Sequence, residues 1–187
     1  MSDSLHRLFD RAGRSIPPIL ADWDDQVASW YADYGATFQA SLSEINLDLA
    51  VFVYDHSFDR VILAYAVAVE QLMARDASRM RGFPDVNISV RKVLGERAFP
   101  ADRGHFLGHA SGGAMDINLF PQRRDLNRGW SPEGKQFRKM ERYVADHRGV
   151  FFYHRPLYDD DTWIPKALEY GILVDETTWW VETFQNK

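Results

Sequence analysis

The chain has 187 residues, of which 45% are hydrophobic and 14% aromatic, with a net charge of −5 and no cysteine. This length predicts one domain, or one domain with an extension, and the apolar content is ample for a core. No run of about 18 apolar residues is present to span a membrane, and the lack of cysteine excludes disulfides and thiolate metal centres.

The segment Met1 to Pro18 carries Asp3, Arg7, Asp10, Arg11 and Arg14 and has no apolar stretch of the signal-peptide kind. The expected location is the cytoplasm, or a target cell reached without a cleavable leader. Residues 18–50 read as helical, because Trp23, Val27, Trp30, Tyr31, Tyr34 and Phe38 recur at spacings of three and four. Core packing is the role expected of them. A second helix is predicted from about Arg60 to Met80, capped by Asp59, with Val61 to Val69 apolar nearly all round. That same run is rich in β-formers, so a strand there stays open.

Past Arg81-Gly82-Phe83-Pro84 the pattern changes. Val86-Asn87-Ile88-Ser89-Val90-Arg91 alternates apolar and polar, which predicts a half-buried strand. Gly104, Gly108, Gly112, Gly113, Pro121 and Gly129 then predict a structured loop over 105–130. Ser131-Pro132 opens a helix, with Ser as N-cap and Pro in the first turn, running to about His147 and ending near Gly149. Its apolar seam is Phe137, Met140 and Val144. Glu141 shares that face, and a carboxylate there needs a partner. Residues 150–153, Tyr170 to Val174 and Trp179 to Phe184 read as strands. The fold class is α+β, with helices first and a strand–loop–helix–strand unit after them.

Charge is unevenly spread. Residues 1–80 hold 6 Lys/Arg against 12 Asp/Glu, residues 81–150 hold 13 against 8, and residues 151–187 hold 3 against 7. Local charge decides whether phosphate is attracted, although a solvated basic face has the same signature.

The basic block contains the residues that carry chemistry. Asp102-Arg103-Gly104-His105 supplies an imidazole, whose ordinary pKa of about 6.5 suits it to accept a proton from water. Taken alone, such a histidine is equally a structural residue. Asn127 offers a neutral amide oxygen of the kind hard cations take, or else an Asn in a turn before Gly129. Arg103 can clamp a phosphate or pair with Asp102. Glu141 can serve a metal or pair with Arg138 or Arg142. His105 and His109 have the spacing of a helical zinc pair, but Gly104 and Gly108 oppose a helix there.

The ordered set Asp102-Arg103-Gly104-His105, then Asn118-x-x-Pro121-Gln122-x-x-Asp125-Leu126-Asn127-x-Gly129, then Glu141 on a helix, resembles the DNA/RNA non-specific endonucleases of the ββα-metal (His-Me finger) class. The run Gly104-His105-x-x-Gly108-His109-x-x-Gly112-Gly113 is similar to the bacterial toxin-associated branch. Arg155-Pro156-Leu157-Tyr158 and Trp163-Ile164-Pro165-Lys166 are similar to the segment after the metal helix, so the likeness spans roughly residues 85–174.

The periodicity gives a helical N-terminal region, residues 1–80, packed on or extending the core and matching no family, and for residues 81–187 the resemblance implies a ββα-metal nuclease core of antiparallel strands. It implies His105 as general base and Asn127 as the direct Mg²⁺ ligand, with Mn²⁺ as a substitute ion. Glu141 would hold one of the ion's waters, and Arg103 would stabilise charge on the phosphate. Asp102, Asn118 and Gln122 would support the site, and Arg123, Arg124, Arg128, Arg138 and Arg142 would bind substrate. The implied partners are DNA and RNA, with a cognate immunity or inhibitor protein and no membrane. The implied context is an antibacterial toxin or a defence nuclease. The chain departs from the pattern by an insert over Ser131 to Phe137 and by Ala145 where a basic residue is usual. The competing readings are a catalytically silent binding module on the same fold and a zinc-dependent hydrolase.

Overall fold

Every side chain from Arg60 to Val67 is buried. An apolar run buried on both faces is what a strand inside a covered sheet requires, and a helix would expose one side of it. The computed structural model describes residues 3–47, 49–69, 85–108 and 116–187. Its helices are α1 (Asp3–Arg11), α2 (Trp23–Thr37), α3 (Val86–Leu94), α4 (Arg124–Asn127) and α5 (Pro132–Asp146). Its strands are β1 (Leu42–Leu47), β2 (Ala50–Asp55), β3 (Arg60–Val67), β4 (Ala101–His105), β5 (Leu119–Arg123), β6 (Phe151–Leu157), β7 (Ala167–Val174) and β8 (Thr178–Gln185).

Six strands form one antiparallel sheet in the order β1-β2-β3-β6-β7-β8, and β4 and β5 form a separate antiparallel ribbon. The fold is α+β. The strands of residues 42–67 continue the same sheet as those of residues 151–185.

Period-two alternation splits the sheet residues between two cores. On one face, Val51, Val53, Leu63, Tyr65, Phe151 and Tyr153 pack against Leu5, Leu8 and Phe9 of α1 and Trp23 and Val27 of α2. Trp23 meets the rings of Tyr65, Phe151 and Tyr153 at 4.9–5.5 Å. On the other face, Phe52, Ala64, Phe152, Leu168, Tyr170 and Ile172 pack against Phe137, Met140 and Val144 of α5 and Phe106 and Phe120 of the ribbon. Burial of each large apolar side chain contributes about 1.5–3 kcal/mol, so the α5 seam alone anchors the helix to the sheet. The ribbon and α5 therefore ride on one face, and the N-terminal helices cover the other.

Several sequence expectations change. The helix of residues 18–50 stops at Thr37, and Leu42–Leu47 forms an edge strand whose register pairs Leu47 with Ala50. The N-terminal region is thus helical only in part. The helix predicted from Arg60 is β3, and its predicted continuation over 70–80, like Arg81 to Pro84, lies outside the described residues. Val86–Arg91 is helical rather than extended. Asp85 caps α3, its carboxylate accepting from the amides of Asn87 at 3.0 Å and Ile88 at 3.2 Å. Val86, Val90 and Leu94 form the buried seam at spacing four, while Ile88, whose apolar character suggested the alternation, is exposed. Within 105–130, β5 and α4 replace part of the predicted loop.

Other elements stand as predicted. Ser131 Oγ accepts from the Gly134 amide at 3.0 Å, Pro132 follows, and α5 ends at Asp146. The three C-terminal strands form, each slightly longer than its sequence signal.

Candidate functional site

The ribbon places His105 at the end of β4, directly opposite Leu119, with Gly104 opposite Phe120, Arg103 opposite Pro121 and Asp102 opposite Gln122. Gly104 is required by close approach. A Cβ there would lie 2.5 Å from Cβ and 2.6 Å from Oε1 of Gln122. The space left by the missing side chain holds the buried Gln122 amide, whose Oε1 accepts a hydrogen bond from Asn127 Nδ2 at 2.6 Å.

That bond fixes which way the Asn127 amide faces. Its NH₂ is committed to Gln122, and Oδ1 is left as the acceptor that could meet a cation. Asn127 ends the short α4, and α4 sits tightly on the first turn of α5. The Trp130 amide donates to the Asp125 carbonyl at 2.9 Å, and a Cβ on Gly134 would come within 2.4 Å of that same carbonyl oxygen. The glycine lets the two helices touch backbone to backbone, and this contact sets α4 against the helix that carries Glu141.

Asn118 is fully buried and braces the chain just past His105. Its Nδ2 donates to the Leu107 carbonyl at 2.7 Å, and its Oδ1 accepts from the Leu107 amide at 2.8 Å. Asp102 accepts from Arg124 Nε at 3.1 Å and from both Nε and Nη2 of Arg128. Burial pushes the Asp102 carboxyl up, but the bonds from Arg128 and Arg124 outweigh that and hold it below the usual carboxylate range.

The other predicted cations are also engaged. Arg123 pairs with Asp125 at 2.6 Å and with Glu133. Arg138 pairs with Glu141 at 2.6 Å, which supplies the partner that the carboxylate beside the α5 seam needs. Arg142 Nε reaches the Arg138 carbonyl at 3.4 Å. Arg128 lies over the exposed indole of Trp130, 4.9 Å from the ring centre. Beneath α5, Tyr170 is fully buried, and its hydroxyl pKa rises chiefly from burial and secondarily from the Glu141 charge.

The chain matches no protein-family model and no curated protein.

Among the described residues no three His, Cys, Asp or Glu side chains gather into a metal-holding group. A site built on one amide oxygen and water is not of that kind. Mg²⁺ keeps most of its waters and needs few protein ligands, so the oriented Asn127 Oδ1 fits it. The other half of the predicted zinc pair, His109, lies outside the described residues, as do Gly112 and Gly113. No helix among the described residues is long and apolar enough to cross a membrane.

Two supports were invisible in the sequence. Asn186, buried near the C-terminus, accepts from the Arg123 amide at 2.9 Å and donates to the carbonyls of Pro121 at 3.0 Å and Pro165 at 2.9 Å. Asn87 of α3 accepts from the Ala101 amide at 3.1 Å. Both tether the ribbon, and neither belongs to any local motif.

Proposed function

We propose that this chain is a metal-dependent endonuclease of the ββα-metal type, hydrolysing phosphodiester bonds of DNA and RNA with little sequence preference. The observation that carries the reading is the Gln122–Asn127 bond, which leaves an amide oxygen for a cation on a strand–strand–helix unit that also holds His105.

In this reading His105 takes the proton from an attacking water as general base. Asn127 Oδ1 would hold Mg²⁺, or Mn²⁺ in its place, and Glu141 on α5 would hold one of the ion's waters. Bound there, the ion would neutralise charge developing on the phosphate. Arg103 stabilises that same charge. Asp102 serves the site indirectly, by holding Arg124 and Arg128 on the ribbon. Arg123, Arg138 and Arg142 add positive charge around the unit. Contacts made to phosphate rather than to base edges account for low sequence preference. A nuclease of this kind endangers its producer, so the context is an antibacterial effector or defence nuclease with a cognate inhibitor protein.

The test is digestion of plasmid DNA and total RNA by purified protein in Mg²⁺, in EDTA, and with His105→Ala. Cleavage that needs Mg²⁺ and is lost in the variant supports the reading. Absence of cleavage with any divalent ion rejects it in favour of a silent binding module.

A further inference from the structure

The loop from α4 into α5 carries an aromatic ring that the core does not use. Gly129 N donates to the Leu126 carbonyl at 3.2 Å and Trp130 N to the Asp125 carbonyl at 2.9 Å, with Gly129 at a φ of +70°. These are the two bonds of a Schellman cap, which closes α4 and fixes the backbone of Trp130. The side chain at that position ordinarily folds back onto an apolar residue in the last turns of the helix. Here the residues it would meet are Arg124 and Asp125, and Trp130 stays 63% exposed.

The ring is nevertheless held. Arg128 lies over it, 4.9 Å from the ring centre, and Arg128 is itself bonded to Asp102 on β4. With one face occupied, so high an exposure leaves the opposite face to solvent. A flat aromatic surface, fixed at its backbone and backed by a guanidinium, is thus presented to water.

Its surroundings are cationic. Lys135, Arg138, Lys139 and Arg142 are exposed on α5 at spacings that put them on one face, opposite the buried seam. Residues 134–142 hold those four cations against one carboxylate, Glu141. The stripe reaches the loop at Arg138, whose Cγ would lie 3.0 Å from a Cβ on Gly129. Asn127 is three residues before Trp130, so their Cα atoms are within about 11 Å of each other. A base on the indole and a phosphate at Asn127 therefore belong to one short stretch of strand.

Charge alone would suit an acidic protein as well. The open ring face decides the occupant: every base has a matching π-face, and a cationic track with an aromatic platform is how single strands are held. In a duplex each base is already covered by its neighbours in the stack, and the indole has nothing to receive.

We propose that Trp130 is a stacking platform for one base of a single-stranded substrate, DNA or RNA, whose phosphates run along the α5 stripe. The proposal rests on the nuclease reading and gives that site its substrate class, unpaired strands in preference to duplex. Stacking reads no base edge, so sequence preference stays low.

The experiment uses the full chain in EDTA, so that binding is scored without cleavage. Fluorescence anisotropy measures its affinity for a labelled single-stranded DNA oligonucleotide and for the same sequence as a duplex. Trp130→Ala is expected to weaken single-strand binding at least about fivefold, the low end of what one stacked base contributes, and to leave duplex binding within about twofold. Trp130→Phe keeps a ring and should stay near the parent. Because the side chain is exposed, melting curves of both variants should match the parent's and exclude misfolding as the cause. Parental single-strand affinity in Trp130→Ala, or an equal loss on single strand and duplex, overturns the platform, as does a parent that binds neither. Single-strand binding that depends on Trp130, in a protein that cleaves nothing with any divalent ion, supports the platform and rejects the nuclease reading. Mg²⁺-dependent cleavage with no dependence of binding on Trp130 rejects the platform alone.

Discussion

Asn127 Nδ2 donates to Gln122 Oε1 at 2.6 Å across the gap between the end of α4 and β5. The bond exists because Gly104 has no side chain: the Gln122 amide occupies the volume a Cβ would take. Three residues far from obvious in isolation thus act together. Gly104 makes room, Gln122 fills it, and Asn127 is turned by the result.

If Asn127 and His105 act as proposed, each alone is indispensable. His105→Ala and Asn127→Ala should each lower the rate of plasmid cleavage at least about 10²-fold, the lower end expected for loss of a general base or of a metal's only direct ligand. His105→Ala should leave the melting curve close to the parent's, whereas Asn127→Ala strands the buried Gln122 Oε1 and should cost about 1–3 kcal/mol of stability as well. Two variants that cleave at parental rates would rule the assignment out.

Gln122→Leu removes the oxygen that turns Asn127 while keeping comparable bulk. Loss of an orienting partner of a metal ligand typically costs 10–100-fold in affinity, so Mg²⁺ binding by calorimetry should weaken by about that factor. Gln122→Glu keeps an acceptor oxygen and should recover most of the affinity. A purely structural role for Gln122 predicts lower stability in both variants and no difference between them in Mg²⁺ affinity.

Asn118→Ala strands both the amide and the carbonyl of Leu107 in a buried setting. Each unmet group costs about 1–3 kcal/mol, so urea unfolding should show a loss of roughly 2–4 kcal/mol. A loss below about 0.5 kcal/mol would mean the clamp contributes little to the fold.

His154 sits in the sheet beneath α5, its ring 3.9 Å from that of Tyr170, with Nδ1 buried and unpartnered among the described residues. Burial lowers its pKa to about 3. The unfolded chain takes up this proton near the ordinary value of about 6.5, while the folded chain resists it. The unfolded state therefore binds more protons over that interval, and stability attributable to this site falls as pH drops from about 6.5 toward 3. His154→Leu should flatten that part of the stability–pH curve measured by urea unfolding. An unchanged acid slope would show that other groups govern it.

Legibility followed the range of the cause. The N-cap and first-turn proline of α5 are local, and Ser131-Pro132 announced them correctly. Val86–Arg91 misled because Ile88 is apolar yet exposed; the deciding evidence was Val86, Val90 and Leu94 at spacing four and the Asp85 cap. The run after Arg60 fitted two structures equally, since an all-round apolar segment is a buried helix or a central strand until its neighbours are known.

The residues themselves determined the composition of the candidate site: an imidazole, an amide and a carboxylate in an ordered array amid arginines, together with an α+β core free of disulfides. Tertiary structure decided how they are held. Sequence carries no record of Gln122 folding over Gly104, of Asn186 reaching back to the backbone around Pro121, or of Arg60 entering an aromatic cage beside the ribbon. Each depends on hydrogen bonds and packing between segments up to about a hundred positions apart. Their cost in chain entropy is met only when the whole sheet assembles, so no local pattern can encode them.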